Sequence, residues 1–122
     1  MKILVVEDEP ASLKLAHLVL SSDGHEVATA AAVEQALREI EESEPEVLLL
    51  DLELPNINGI ALARSLKNDP KHRHIVIVAV TAYPERFPRE DALAAGCDAY
   101  LVKPIDTRKL TAQVASAVEQ RS

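Results

Sequence analysis

Short apolar runs and helical stripes take turns along this chain. Ile3 to Val6 is apolar and rich in β-branched residues, which predicts a strand. Pro10 then opens a helix, at a position where its missing N–H costs little, and the helix ends near Gly24. Glu26 to Ala30 reads as a weak strand at an edge. Val33, Ala36, Leu37 and Ile40 fall at i, i+3, i+4 and i+7, the spacing of an amphipathic helix. Val47 to Leu50 is a strand, apolar at every position. Asn58 is placed to cap a helix carrying Ile60, Ala63 and Leu66. Ile75 to Val80 is a second continuous apolar strand. Pro84 and Pro88 interrupt the chain, so the next helix is predicted from near Arg89 to Gly96. Ala99 to Val102 is the last strand, and Asp106 or Thr107 opens a helix with Leu110, Val114, Ala117 and Val118 on one face.

Five strands thus alternate strictly with five helices. Alternation of this kind, with central strands apolar on both faces, implies a parallel sheet covered on both sides. The expected fold is an α/β, three-layer, doubly wound (βα)5 sandwich forming one domain over residues 1–122. Met1, directly ahead of the first strand, reads as a natural start. No internal repeat, linker or low-complexity stretch interrupts the pattern.

Composition narrows the function classes. Of 122 residues 48% are hydrophobic but only 2% aromatic, so the core is aliphatic. A formal net charge of −7 argues against direct binding to a nucleic-acid backbone. No stretch approaches a membrane span, and the apolar start stops at Glu7-Asp8-Glu9, too soon for a signal peptide. The single cysteine, Cys97, excludes an internal disulfide and reads as a small buried thiol. These features fit a soluble cytosolic protein with no membrane partner.

The fold then says where to look for chemistry. In open doubly wound sheets, ligands bind beyond the carboxyl ends of the strands. Glu7 and Asp8 follow the first strand, Asp51 the third, Thr81 the fourth and Lys103 the fifth. Each alone has an ordinary explanation as a turn, a cap or a solvated side chain. Their conjunction at one edge of the sheet is the signal. Lys71 to His74, "KHRH", precedes a strand and so falls at the opposite edge, where it reads as a solvated loop.

Three carboxylates and one ammonium sum to −2. Crowded carboxylates repel unless something neutralises them, and a divalent cation brings the total to zero. Hard oxygen ligands suit Mg²⁺, which keeps waters and takes phosphate oxygens. Lysine binds phosphate as a point charge, and a threonine hydroxyl donates to a phosphoryl oxygen. With three glycines the chain has no glycine-rich phosphate loop, so the phosphoryl group is carried covalently. Asp51 is the natural acceptor, because carboxylates form acyl phosphates.

With "VVEDEP", "LLLDLELPNINGI", "VTA" and "AYLVKPI", the chain resembles the receiver domains of two-component response regulators over essentially its whole length. The resemblance implies a flavodoxin-like sheet in the order 2-1-3-4-5. It implies that Asp51 takes its phosphoryl group from a partner's phosphohistidine, in a sensor histidine kinase or a histidine phosphotransferase. Asp8, Asp51 and the backbone carbonyl of Glu53 would bind Mg²⁺ directly, and Glu7 mainly through a metal-bound water. Lys103 would bridge Asp51 and the phosphoryl group, and Thr81 would follow the phosphoryl oxygen. Ala82 leaves the acceptor accessible, and Tyr100 matches the family's switch aromatic. Pro104 matches a position where the family often has a cis peptide. Glu53 and Tyr83 stand at two variable positions that tune how long the phosphoryl group lasts.

The leading reading is therefore a phosphorylation-switched signalling module, not an enzyme, although it assists its own phosphotransfer and dephosphorylation. An aspartate-nucleophile phosphatase of the haloacid-dehalogenase kind needs a second aspartate where this chain has Glu53. A flavin carrier lacks aromatics to stack the flavin, and an inert scaffold does not explain the complete acidic set with Thr81 and Lys103. A signalling module of this size acts by docking, on its phosphodonor and on a downstream target protein. The first helix carries more apolar residues than one core stripe uses. Ala11, Ser12 and Leu15 on it, with Pro104 and Ile105, are the expected docking surface; the competing expectation for Leu15 is plain core.

Overall fold

The computed structural model describes residues 1–55 and 57–121. Five strands, β1 (Lys2–Val6), β2 (Glu26–Ala30), β3 (Val47–Asp51), β4 (Val76–Thr81) and β5 (Ala99–Val102), form one sheet. Its order is β2-β1-β3-β4-β5, and every neighbouring pair is parallel. Five helices alternate with them: α1 (Pro10–Ser22), α2 (Val33–Ser43), α3 (Gly59–Asn68), α4 (Arg89–Ala94) and α5 (Leu110–Arg121). This is the flavodoxin-like doubly wound arrangement expected from the sequence.

The two-residue period of the strands sorts the core into two layers. Leu48, Leu50, Ile77 and Ala79 pack with Ala36 and Ile40 of α2, Leu62 and Leu66 of α3 and Ala92 of α4. Val47, Leu49, Val76, Val78 and Val80 pack on the other face with Ala16 and Leu20 of α1 and Leu110 and Val114 of α5. Both faces of β3 and β4 are therefore covered, which explains why neither strand alternates polar with apolar. The edge strand β2 is only partly buried, as its mixed sequence predicts.

Helix ends follow their local chemistry. The Glu9 carboxylate caps α1 by accepting from the N–H groups of Ala11 and Ser12. Asn58 Oδ1 accepts from the Ile60 N–H at 2.8 Å and caps α3. α4 stops early, at Ala94, and Gly96 follows at φ 107°, a left-handed conformation suited to glycine.

Two expectations need correction. The last helix begins at Leu110, not at Asp106 or Thr107. The Asp106 carbonyl accepts from both Lys109 and Leu110, and its carboxylate accepts from the Arg108 N–H. Asp106 thus closes a separate turn before the regular helix starts. Leu37, placed in the apolar stripe of α2, is 43% exposed, because the core contact of that helix runs through Ala36 and Ile40.

Candidate functional site

Asp51 ends β3, and the ladder continues past it. The Leu52 N–H donates to Val80 O at 2.9 Å, and the Gly59 N–H donates to Leu52 O at 3.1 Å. A Cβ on Gly59 would lie 2.6 Å from Leu52 Cα and 3.0 Å from Asp51 O. Only glycine lets α3 start so close behind Asp51. The same extension fixes the other rim residues. The Glu7 N–H donates to Ala30 O at 3.0 Å, and the Lys103 N–H donates to Thr81 O at 2.8 Å. The Lys103–Pro104 peptide is cis. Thr81 is the last residue of β4 rather than the first beyond it, and is fully buried.

These strand ends bring the expected residues together. Carboxylate oxygens of Glu7, Asp8 and Asp51 lie within 4.8 Å of one another, the single such group among the described residues. Glu7 and Asp51 are buried, whereas Asp8 is exposed at the mouth. Lys103 Nζ lies 2.5 Å from Glu7 Oε1 and 3.2 Å from Asp51 Oδ2. The second Glu7 oxygen accepts from the Glu9 N–H at 3.1 Å.

Crowding shows in the proton affinities. Burial, reinforced by the neighbouring Asp51 carboxylate, pushes Glu7 up to about 7, against the opposing pull of Lys103. Burial also raises Asp51, but hydrogen bonds with the Glu53 and Glu7 side chains outweigh it, and Asp51 ends below the usual carboxylate range. Burial lowers Lys103, yet the Glu7 hydrogen bond and the Asp51 charge more than offset this and raise it. The ammonium therefore stays charged, and excess protons reside on Glu7 rather than on Asp51.

Sequence reasoning missed an arrangement at the end of β4. The Glu53 side chain turns into the site: its Oε1 accepts from the Thr81 hydroxyl and from the Ala82 N–H, both at 2.8 Å. Its Oε2 is buried with no hydrogen-bond partner among the described residues. Burial and the Asp51 carboxylate raise the Glu53 pKa. The Thr81 hydroxyl is oriented from its other side by the Tyr83 N–H, 2.9 Å away. The sequence did mark Glu53, as a backbone ligand and a variable position, but not the reach of its side chain.

Tyr100 is half-buried, and its hydroxyl donates to Phe87 O in the loop between β4 and α4. That loop carries Ala82 and the exposed Tyr83. The Arg86 guanidinium lies 5.6 Å from the centre of the Tyr83 ring and 5.7 Å from that of Phe87. Burial pushes the Cys97 thiol up to about 11, which fits a core thiol rather than a reactive one.

Beside the acidic cluster runs an open apolar groove of about 360 Å³, between α1 and the loop after β5. Ser12, Leu15, Val19, Pro104 and Ile105 line it, together with Lys103 from the site itself. Leu15 is 46% exposed and so is not plain core; Ala11 is exposed on the same helix, outside the lining. The "KHRH" loop lies at the amino ends of the strands, as expected, but one of its members is not merely solvated. The His72 ring is held between Glu41 and Asp69, 3.2 Å from each carboxylate.

Known proteins share this sequence and shape. The sequence model of the response regulator receiver domain matches residues 3–115. The chain is 38% identical over 115 residues to the response regulator PleD of Caulobacter vibrioides, spanning 94% of this chain but 25% of PleD. It is 31% identical to the polar-differentiation response regulator DivK of Brucella ovis, spanning 93% of both. A putative response regulator from Chloroflexus aurantiacus superposes with a TM-score of 0.89 at 30% identity, covering 97% of each chain. The receiver domain of the sensor histidine kinase PA1611 from Pseudomonas aeruginosa superposes with a TM-score of 0.85 at 30% identity, covering 97% of each chain. That structure has a magnesium ion coordinated in its active-site cleft.

Proposed function

Because this chain belongs to the response regulator receiver domain family, we propose that it is switched by a phosphoryl group carried on Asp51. A phosphohistidine of a sensor histidine kinase or histidine phosphotransferase supplies that group. The P–N bond breaks as a P–O bond to an Asp51 carboxylate oxygen forms, and the released imidazole nitrogen keeps the electron pair and takes up a proton. One observation carries the reading: the Asp51 carboxylate stands at a fixed strand end, 3.2 Å from the Lys103 ammonium, among the clustered oxygens of Glu7 and Asp8.

Lys103 pairs with Asp51 and then with the phosphoryl oxygens. The Thr81 hydroxyl donates to the phosphoryl group, and Tyr100, tied to the same loop through Phe87 O, follows that loop. Three converging carboxylates, net negative after Lys103 is counted, fit a divalent hard cation. Asp8, Asp51 and the Glu53 carbonyl would hold Mg²⁺, with Glu7 acting through a bound water; when bound, the ion offsets the charge on the phosphoryl oxygens.

The phosphodonor docks on the groove beside the cluster. Ser12, Leu15, Pro104 and Ile105 are accessible there, Ala11 stands at its edge, and the groove leads to Lys103. A downstream target protein then reads the altered surface. Direct nucleic-acid contact disagrees with the net charge of −7, and no helix among the described residues is long and apolar enough to cross a membrane.

Incubation with Mg²⁺ and acetyl phosphate, followed by intact mass, tests this. A stoichiometric phosphoryl adduct that is absent in Asp51→Asn is the expected result. Rapid turnover with nothing retained would indicate a phosphatase, and no reaction at all would indicate a scaffold.

A further inference from the structure

Two hydrogen-bond donors at the end of β4 converge on one point. The Thr81 hydroxyl and the Ala82 N–H both stand 2.8 Å from a single oxygen, Glu53 Oε1. Paired donors aimed at one anionic oxygen form an oxyanion site. A terminal phosphoryl oxygen on Asp51 presents the same kind of acceptor and would call on the same donors. We propose that the Glu53 carboxylate is an internal stand-in for the phosphoryl oxygen, occupying these donors in the resting protein and competing with the phosphoryl group for them. The inference rests on Asp51 being the acceptor.

Three further observations support competition over a purely structural bond. Glu53 lies two residues from Asp51, and the Asp51 charge opposes its own. Its second oxygen is buried and accepts from no donor among the described residues, so the donors that hold the carboxylate are those of Thr81 and Ala82. The residue as a whole is only half-buried, which leaves it a path out to water. The same contact also has a consequence for the switch. The Thr81 hydroxyl, held by Tyr83 and Glu53, already points toward an anion before any phosphoryl group arrives. The loop bearing Ala82 and Tyr83 is thus held by an anion in both states, and phosphorylation exchanges one anion for another.

Three variants separate this from simple charge repulsion. Glu53→Ala removes the oxygen and the charge. Glu53→Gln removes the charge but keeps an oxygen in reach. Glu53→Asp keeps the charge but is one methylene too short to reach the donors. The readouts are the amide ¹H and ¹⁵N shifts of Ala82 without ligand, and the affinity for beryllofluoride with Mg²⁺. Beryllofluoride serves as an unreactive phosphoryl analogue on Asp51. Glu53→Ala and Glu53→Asp should both move the Ala82 amide and tighten beryllofluoride binding by roughly three- to tenfold, the scale of one or two hydrogen bonds no longer given up. Glu53→Gln should stay close to wild type in the amide shift and gain less affinity. An Ala82 amide unmoved in Glu53→Ala overturns the proposal. So does equal tightening by Gln and Ala with none in Asp, because charge alone would then be acting. If wild type and Asp51→Asn alike fail to bind beryllofluoride, it is the assignment of Asp51 that falls, whereas the amide shifts still report whether Glu53 holds the donors.

Discussion

The Lys103 ammonium reaches across from β5 to Glu7 at the end of β1, 2.5 Å from Oε1. This contact spans 96 residues of sequence and shares its cation with Asp51. Two buried carboxylates facing one lysine leave a negative excess. Glu7 absorbs it by holding a proton up to about pH 7.

That proton makes the stability of the metal-free protein depend on pH. Glu7 in the unfolded chain titrates at its ordinary value of 4.5, well below the folded value of about 7. Between these limits the folded state binds a proton that the unfolded chain has already lost. Its stabilising effect is complete at low pH and is lost as pH rises toward 7, by at most about 1.4 kcal/mol per pH unit for one group. Asp51 is shifted the other way and is ionised in both states throughout this window. In chelator, the melting temperature of wild type relative to Glu7→Gln should therefore fall from pH 5 to pH 7. A flat or rising difference would show that Glu7 does not hold the proton.

Mg²⁺ should reverse the effect. A cation that binds the folded cluster and not the unfolded chain stabilises by linkage, by about 2.7 kcal/mol at a hundredfold excess over Kd. A millimolar Mg²⁺ titration is expected to raise the melting temperature of wild type. Asp8→Ala should remove most of that gain while leaving the metal-free protein intact, because Asp8 is exposed at the mouth of the cluster. A wild-type melting temperature that ignores Mg²⁺ would count against the acidic cluster as its site.

Glycines test how tightly Asp51 is backed. A Cβ on Gly59 meets backbone, 2.6 Å from Leu52 Cα, and cannot be relieved by turning a side chain. Gly59→Ala must shift either the start of α3 or the strand end carrying Asp51. The expected loss is about 1–3 kcal/mol, the range for overpacking, together with slower phosphoryl gain from acetyl phosphate. Gly24 is the control. Its φ is 88° with nothing within 4 Å of a Cβ, so Gly24→Ala should cost roughly 1–2 kcal/mol through backbone strain and leave phosphoryl gain unchanged. Equal phosphoryl gain in both variants would mean that Asp51 does not depend on the Gly59 approach.

Much of this was legible in the sequence because the physics involved is local and periodic. Short apolar runs at Val47 to Leu50 and Ile75 to Val80, in alternation with helical stripes, read as strands covered on both faces, and the order of the elements then sets where Glu7, Asp8, Asp51, Thr81 and Lys103 emerge. The start of α5 was less legible, because Asp106 closes a turn with the same residue types that cap a helix. The position of the Glu53 carboxylate was not legible. It depends on the end of β4 presenting Thr81 and Ala82 across the sheet, a relationship between strands that no pattern along one strand encodes. The clamp of Glu41 and Asp69 on His72 was hidden for the same reason.

The groove beside the cluster supplies the last test. Leu15 is 46% exposed, and the groove continues past Pro104 and Ile105 to Lys103, so an apolar partner surface seated there would stand next to Asp51. A phosphohistidine presented on such a surface would stand beside Asp51, the proposed acceptor. Ala11→Asp places a charge at the edge of the groove, and Ile105→Ser removes an apolar wall. Neither changes Asp51, Lys103 or the carboxylates. Acetyl phosphate is small and needs no docking surface. Both variants should therefore gain phosphoryl from acetyl phosphate at close to the wild-type rate. From a cognate kinase, the loss of one or two buried apolar contacts of about 1–2 kcal/mol corresponds to roughly a five- to thirtyfold slower transfer. Equal losses with both donors would mean that the substitutions had disturbed the acceptor itself, and the groove would no longer be the docking site.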